Sequence, residues 1–163
     1  YKAIDGREIH IEFNTAGPPL ALINYNFPQQ GRPPNERIKF QQRMLDTIAN
    51  IPNWKNLILL GDFNARFQAR KGNETKILGP YVFGRGEDYL CSKVRQGHIL
   101  NRDLLAEVLT THQMRVMNTF FQKPLEKLIT HRPPGVEHRP PWTPDRFATT
   151  DHFICRQRWK NSI

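Results

Sequence analysis

A chain of 163 residues, 38% of them apolar, is long enough for one domain with a real core. Lys and Arg number 24 against 15 Asp and Glu, a formal net charge of +9; this suits a polyanionic partner such as nucleic acid and equally a well-solvated basic surface. No apolar run approaches the roughly 18 residues that a membrane span needs, so no membrane partner is expected.

The opening residues Tyr1-Lys2-Ala3-Ile4-Asp5 have no starting Met and no apolar signal core, and read as a piece of a longer frame. Ile9-His10-Ile11-Glu12-Phe13 alternates with period two and predicts a half-buried strand. Gly17-Pro18-Pro19 breaks it, and Leu20 to Tyr25 predicts a second, more continuously apolar strand, antiparallel to the first. After a Pro-rich loop, Asn35 is a plausible N-cap with Glu36 in the first turn. Ile38, Met44, Leu45 and Ile48 then predict a helical face ending near Pro52.

Leu57-Ile58-Leu59-Leu60 is a short apolar block bounded by turn residues and predicts a strand buried on both faces. Gly61 to Lys71 is turn-rich, and Thr75 to Gln96 reads as a long irregular segment. A second helix is predicted over 101–112, with Leu104, Leu105, Val108 and Leu109 on one side. Arg115 to Asn118 predicts a strand, and His152 to Cys155 another. His131-Arg132-Pro133-Pro134 recurs at 138–141, a short duplication within a loop. No internal domain boundary shows. Cys91 and Cys155 are far apart and form no CxxC, so both read as free thiols, and the six His residues show no zinc spacing with them.

Two segments carry chemistry. In Leu60-Gly61-Asp62-Phe63-Asn64-Ala65 a strand runs into a carboxylate and, two residues on, a carboxamide. If extended backbone continues, Asp62 and Asn64 point to the same side. A carboxylate there can hold a metal or steer a water, and the amide can donate to a phosphate oxygen. Gly, Asp and Asn also make plain turns. In Thr149-Thr150-Asp151-His152-Phe153-Ile154 an acid again sits where a loop enters a strand, and it would serve equally as a salt-bridged surface Asp.

The blocks GDFNA (61–65), GPYVFGRGE (79–87), NTFF (118–121) and TTDHFI (149–154), in this order, resemble the endonuclease/exonuclease/phosphatase superfamily. The spacing is closest to the apurinic-type endonuclease domains of non-long-terminal-repeat retrotransposons. The resemblance covers most of residues 1–163 and implies an α/β, four-layered sandwich of two mixed β-sheets. Its N- and C-terminal strands would lie outside this chain. It implies Asp62 as the acid that activates water and binds Mg2+ (or Mn2+), Asn64 as a phosphate ligand, and Asp151 as a supporting acid. Thr130 matches a Thr that often precedes a strand in the family, and it reads equally as an ordinary strand Thr.

Where the family has a phosphate-contacting Tyr, this chain has Asn26; Tyr25 is one residue off and would face the other way. The family's metal-binding Glu and catalytic His have no counterpart, and His152, adjacent to Asp151, projects to the other face. The complete domain is therefore expected to be a Mg2+-dependent DNA endonuclease, and the chain as it stands, truncated, to show little or no activity. A catalytically inactive remnant or binding module of the same fold is the alternative, as is a hydrolase of RNA, nucleotide or inositol phosphate. DNA is the first expected partner and RNA the second. No protein partner can be inferred, and localisation stays open, nuclear for a retroelement nuclease.

Overall fold

The apolar runs at 20–25 and 57–60 become the two central strands of a sheet. The computed structural model describes the backbone of residues 2–4 and 6–159 and the side chains of residues 6–158. Its strands are β1 (Lys2–Ile4), β2 (Glu8–Phe13), β3 (Leu20–Asn26), β4 (Asn56–Asp62), β5 (Met114–Val116) and β6 (Asp151–Arg156). They form one mixed sheet in the order β1-β2-β3-β4-β6-β5. The β3–β4 pair is parallel, and α1 (Pro34–Ala49) supplies the crossover that a parallel pair requires. The other pairs are antiparallel, including β2–β3 across the Gly17-Pro18 break. Two further helices are α2 (Glu87–Arg95) and α3 (Asn101–Thr111). The chain is thus mixed α/β, and no helix among the described residues is long and apolar enough to cross a membrane.

One face of the sheet carries the core. Ala21, Ile23 and Tyr25 of β3, Leu57 and Leu59 of β4 and Ile154 of β6 form one buried cluster with Phe40, Met44 and Ile48 of α1 and Leu105, Val108 and Leu109 of α3. The buried stripe of α1 runs Arg37, Phe40, Gln41, Met44, Ile48, the three-to-four spacing of one helical face. Ile38 is not on it and is 39% exposed: six residues before Met44 is about 120° round the helix. The helix also starts earlier than the Asn35 cap implied. Pro34 takes its first position, where a missing N–H costs nothing.

The other face of the sheet is half-open. Strand register puts Ile9, Ile11 and Phe13 of β2 on the same side as Leu20 and Leu22 of β3, Ile58 and Leu60 of β4, and Phe153 of β6. Ile9 is 40% exposed and Phe13 45%. So β2 turns its apolar side outward, while Glu8 is buried on the helix side against Arg43 of α1, Nε to Oε2 3.6 Å. Burial of 57–60 on both faces is not found either: Leu57 and Leu59 are buried, but Ile58 and Leu60 only half so. The segment 75–96 is not irregular throughout, since α2 lies within it. Glu87 and Asp88 in its first turn and Lys93 and Arg95 in its last complement the helix dipole. Both cysteines are free; Cys91 is exposed and Cys155 buried, and burial pushes the Cys155 thiol up to about 11.

Candidate functional site

Three of the sequence-selected side chains stand in a row. In the β3–β4 register Asn26 pairs with Asp62, and in the β4–β6 register Asp62 pairs with Asp151. Paired residues of neighbouring strands share a face and lie roughly 4.5–5.5 Å apart at Cβ. The row ends the open face of the sheet, and the ladder continues one step beyond it. Phe27 N donates to Asp62 O (2.8 Å) and Phe63 N to Thr150 O (2.9 Å). Tyr25, the neighbour of Asn26, points into the core and is fully buried. Burial, with Glu8 nearby, drives its hydroxyl pKa far up, so it takes no part in this row.

The turn after β4 has local causes. Gly61 has φ +125°, and a Cβ there would sit 2.0 Å from the Tyr25 carbonyl oxygen, so a glycine is needed where β4 crowds β3. Asp62 Oδ1 then accepts the Asn64 N–H at 2.9 Å, an Asx turn that ends the strand. Asn64 has φ +46°, a left-handed conformation that Asn tolerates. The period-two extrapolation from Asp62 to Asn64 therefore stops at Asp62. One amide hydrogen of Asn64 goes to Phe27 O at 2.8 Å, which leaves its other N–H and its Oδ1.

Asn101, the first residue of α3, fixes this turn and was legible only as a helix start. It is 1% exposed. Its Nδ2 donates to Pro28 O (2.8 Å) and Asn64 O (3.1 Å), and its Oδ1 accepts from Arg37 Nη1 (3.0 Å). Its backbone N–H donates to Gln30 Oε1 at 2.7 Å. One buried amide thus ties α1, α3 and both loops at the sheet end. Thr130 does comparable work on the other side. Its Oγ1 accepts the N–H groups of Thr150 (2.9 Å) and Asp151 (3.0 Å), setting the entry into β6. In this structure Thr130 positions Asp151 through the backbone.

His152 turns to the core face. It is buried beside the rings of Phe63 and Phe67, centroids 6.0 and 5.1 Å away, with Nε2 2.9 Å from Ala65 O. Burial holds its pKa below the usual imidazole value, against smaller opposing effects of the Ala65 carbonyl and the nearby carboxylates.

Two hollows flank the row. Asp151 and Thr130 line a shallow one of about 330 Å³ on the open face, with Leu60, Phe153, Lys123 and Lys127. Asn64 and Thr150 line a deeper cleft of about 530 Å³, with Arg66, Lys93 and His131 among its walls. Asp62 and Asn26 line neither. Asn64 and Asp151 thus open onto different hollows, because the left-handed turn carries Asn64 off the open face while Asp151 stays on it. His131, which the sequence offered only as part of a duplication, reaches the deeper cleft. No cluster of three or more His, Cys, Asp or Glu side chains suited to a metal occurs among the described residues. A scan against protein-family models and a search of the curated proteins return no match to this chain.

Proposed function

We propose that the chain carries the phosphodiester-hydrolysing end of a metal-dependent endonuclease resembling the endonuclease/exonuclease/phosphatase superfamily, with DNA as its first substrate and RNA as its second. The observation that carries this reading is the row Asn26–Asp62–Asp151 across three adjacent strands, with Asn64 held at the exit of the central one. Like charges directly opposite in a sheet repel, and a hard cation removes that cost. Mg2+ asks for one or two carboxylates and keeps water in its other positions, so Asp62 with Asp151 is a donor set that suits it. Such an ion would neutralise charge developing on the phosphoryl oxygens. Asp62 would orient the attacking water through its oxygen not held by the Asn64 N–H. The remaining Asn64 N–H would donate to a phosphate oxygen, and Asn26 would offer its amide where the family has a Tyr.

A second mixed sheet packed on the open face would complete a four-layered sandwich. Support for it is the apolar side that β2 presents outward at Ile9, Ile11 and Phe13, continuous with Ile58, Leu60 and Phe153. Contiguous apolar surface of that kind usually marks a face that something covers.

A non-catalytic remnant or binding module of the same fold is the second reading, and one observation favours it. Among the described residues no glutamate neighbours Asp62 in the sheet or lines the hollow at Asp151, and His152 faces away. Mg2+-dependent nicking of supercoiled plasmid separates the two readings. It should compare the chain, its Asp62→Ala variant and the chain extended at both ends by its native flanking codons. Nicking that needs Asp62 supports the nuclease; no nicking by any of the three supports the remnant.

A further inference from the structure

The deeper cleft has a lining that the row of carboxylates does not explain. Helix α2 contributes Tyr89 and Lys93, the turn after β4 contributes Arg66 and Gln68, and Asn64 and Thr150 join the cleft to the row. Among the described residues no Asp or Glu lines it. Arg102 at its base is already matched, Nη2 to Glu74 and Nη1 to Asp103, both at 2.7 Å. Arg66 and Lys93 differ: among the described residues neither has an acidic partner within ion-pair distance, and Arg66 is exposed. Lys93 Nζ lies 5.6 Å from the Tyr89 ring centroid and the Arg85 guanidinium 4.8 Å from it. Gln68 spends its Oε1 on the Arg85 N–H at 2.8 Å, which leaves its amide hydrogens to donate.

Cations without acidic partners (Lys93 Nζ reaches only the neutral Gln96 Oε1, at 3.4 Å), an aromatic ring and amide donors in one open cleft are the composition of a single-strand nucleic-acid groove. There the cations follow the backbone and the ring stacks a base. A site for free inorganic phosphate would need the cations but neither the ring nor the length of the cleft.

We propose that this cleft is a subsite for an unpaired nucleotide next to the bond being cut, with Arg66 and Lys93 on its phosphate and Tyr89 against its base. The inference rests on the phosphodiesterase reading and adds to it the path of the strand: from the carboxylate row, past Asn64 and Thr150, into the cleft under α2. It also makes α2 a substrate-contacting element.

The test is binding of a short labelled single-stranded oligonucleotide, DNA and RNA in parallel, measured by fluorescence anisotropy over a range of salt in EDTA, where cleavage cannot intervene. Each phosphate contact removed from a single strand lowers the slope of log K against log salt by about 0.7. Arg66→Gln and Lys93→Gln should each lower it by that amount. Arg95→Gln, the same charge change on α2 but outside the cleft lining, should leave it unchanged. A second readout does not depend on the variants folding. Cys91 is exposed on α2 while the Cys155 thiol is buried, so an environment-sensitive dye goes to Cys91 alone, and its emission should change saturably with either oligonucleotide.

Oligonucleotide binding with wild-type salt slopes in both cleft variants and no response from the dye would overturn the subsite and leave the phosphodiesterase reading standing. No oligonucleotide binding at any salt would overturn the subsite, while the phosphodiesterase reading would still stand or fall with plasmid nicking. Displacement of the dye signal by inositol hexakisphosphate without any response to oligonucleotides would overturn the nucleotide assignment in favour of a small polyphosphate.

Discussion

Asp62 and Asp151 stand directly opposite one another across the antiparallel β4–β6 pair, two carboxylates on one face at one end of the sheet. Without a cation that pair costs a few tenths to about 1 kcal/mol. Replacing Asp62 by Asn keeps an oxygen for the Asn64 N–H and removes one charge. The variant should melt slightly higher than the wild type in EDTA, by about 1–3 °C. Mg2+ should raise the melting temperature of the wild type and not that of Asp62→Asn. Equal Mg2+ responses in both proteins, read by differential scanning calorimetry, would remove Asp62 from any metal site.

Thr130 should matter through its hydroxyl rather than its shape. It accepts two backbone N–H groups at the entry to β6, and Thr130→Val deletes the acceptor at nearly constant volume. The expected loss is about 0.5–1.5 kcal/mol in urea unfolding, since Thr130 is exposed and water replaces part of the acceptor, with Thr130→Ser restoring most of it. Faster amide exchange confined to Thr150 and Asp151 in the Val variant would show the same thing locally. A Ser variant as unstable as the Val variant would mean that the methyl group, not the hydroxyl, is what counts.

Asn101 offers a sharper separation of fold from site. Asn101→Ala leaves Pro28 O and Asn64 O without their shared donor and Arg37 without one acceptor. Buried groups left unpaired cost about 1–3 kcal/mol each, so a loss of roughly 3 kcal/mol is expected. The Asn64 turn should loosen with it, and the Asn64 amide, held by Asp62 Oδ1, should exchange faster than the loss of global stability predicts. An unchanged Asn64 exchange rate in a folded Asn101→Ala protein would show that the turn holds without this tie.

These relationships divide into what local sequence can carry and what it cannot. The apolar runs at 20–25 and 57–60 and the helix-period patterns at 38–48 and 104–109 announced β3, β4, α1 and α3, because burial of one side leaves a period in the chain. The Gly61–Asn64 block was visible as a site because a glycine, an acid and an amide crowd a strand end. Its geometry was not, since the positive φ of Asn64 is set by the Asx bond from Asp62 and by Asn101, 37 residues away. Asn101 and Arg66 left no pattern at all: one is a lone polar residue at a helix start, the other one basic residue among 24. The short helix α2 was masked by the glycines around it. Nor could the alternation in β2 reveal that its apolar side is the open one. Period two says that the two sides differ, and only Arg43 meeting Glu8 fixes which side is covered.

His152 predicts a pH dependence with a definite sign. Its folded-state pKa lies below the unfolded value of about 6.5, so the unfolded chain takes up a proton that the folded one refuses. Stability should be flat above pH 6.5 and should fall below it, by at most about 1.4 kcal/mol per pH unit, until the folded pKa is reached. His112, lowered chiefly by burial and also by the nearby Arg156, against the opposing hydrogen bond of the Leu45 backbone, acts in the same direction. His152→Gln keeps a donor for Ala65 O and does not titrate in this range. Urea midpoints measured from pH 7.5 down to 5 should therefore fall less steeply in that variant. Parallel curves would assign the acid sensitivity elsewhere.

The open sheet face leads to the last prediction, which joins stability to activity. Ile9, Phe13, Ile58, Leu60 and Phe153 lie on one side of the sheet, and Ile9 and Phe13 are each at least 40% exposed. Apolar surface of this extent drives self-association in water. Purified alone, the 163-residue chain should therefore show concentration-dependent association in sedimentation. Ile9→Lys with Phe13→Glu should reduce it with little change in melting temperature, because neither side chain is buried. The same face bears the row of Asn26, Asp62 and Asp151 at its end, so whatever covers the apolar part also borders the site. Hydrolysis of a phosphodiester needs an aligned water, charge stabilisation and proton transfer. The row and Asn64 offer candidates for the first two and no general acid, and a single acid–base group is worth roughly 10²–10⁴-fold in rate. Little or no Mg2+-dependent nicking is expected from the chain alone. The chain extended at both ends should be both less self-associating and more active, and Asp62→Ala in that extended chain should abolish the gain. Robust nicking by the 163-residue chain, lost on Asp62→Ala, would mean that the proton-transfer group is already within it, and His131 in the cleft beside Asn64 would be the first residue to substitute.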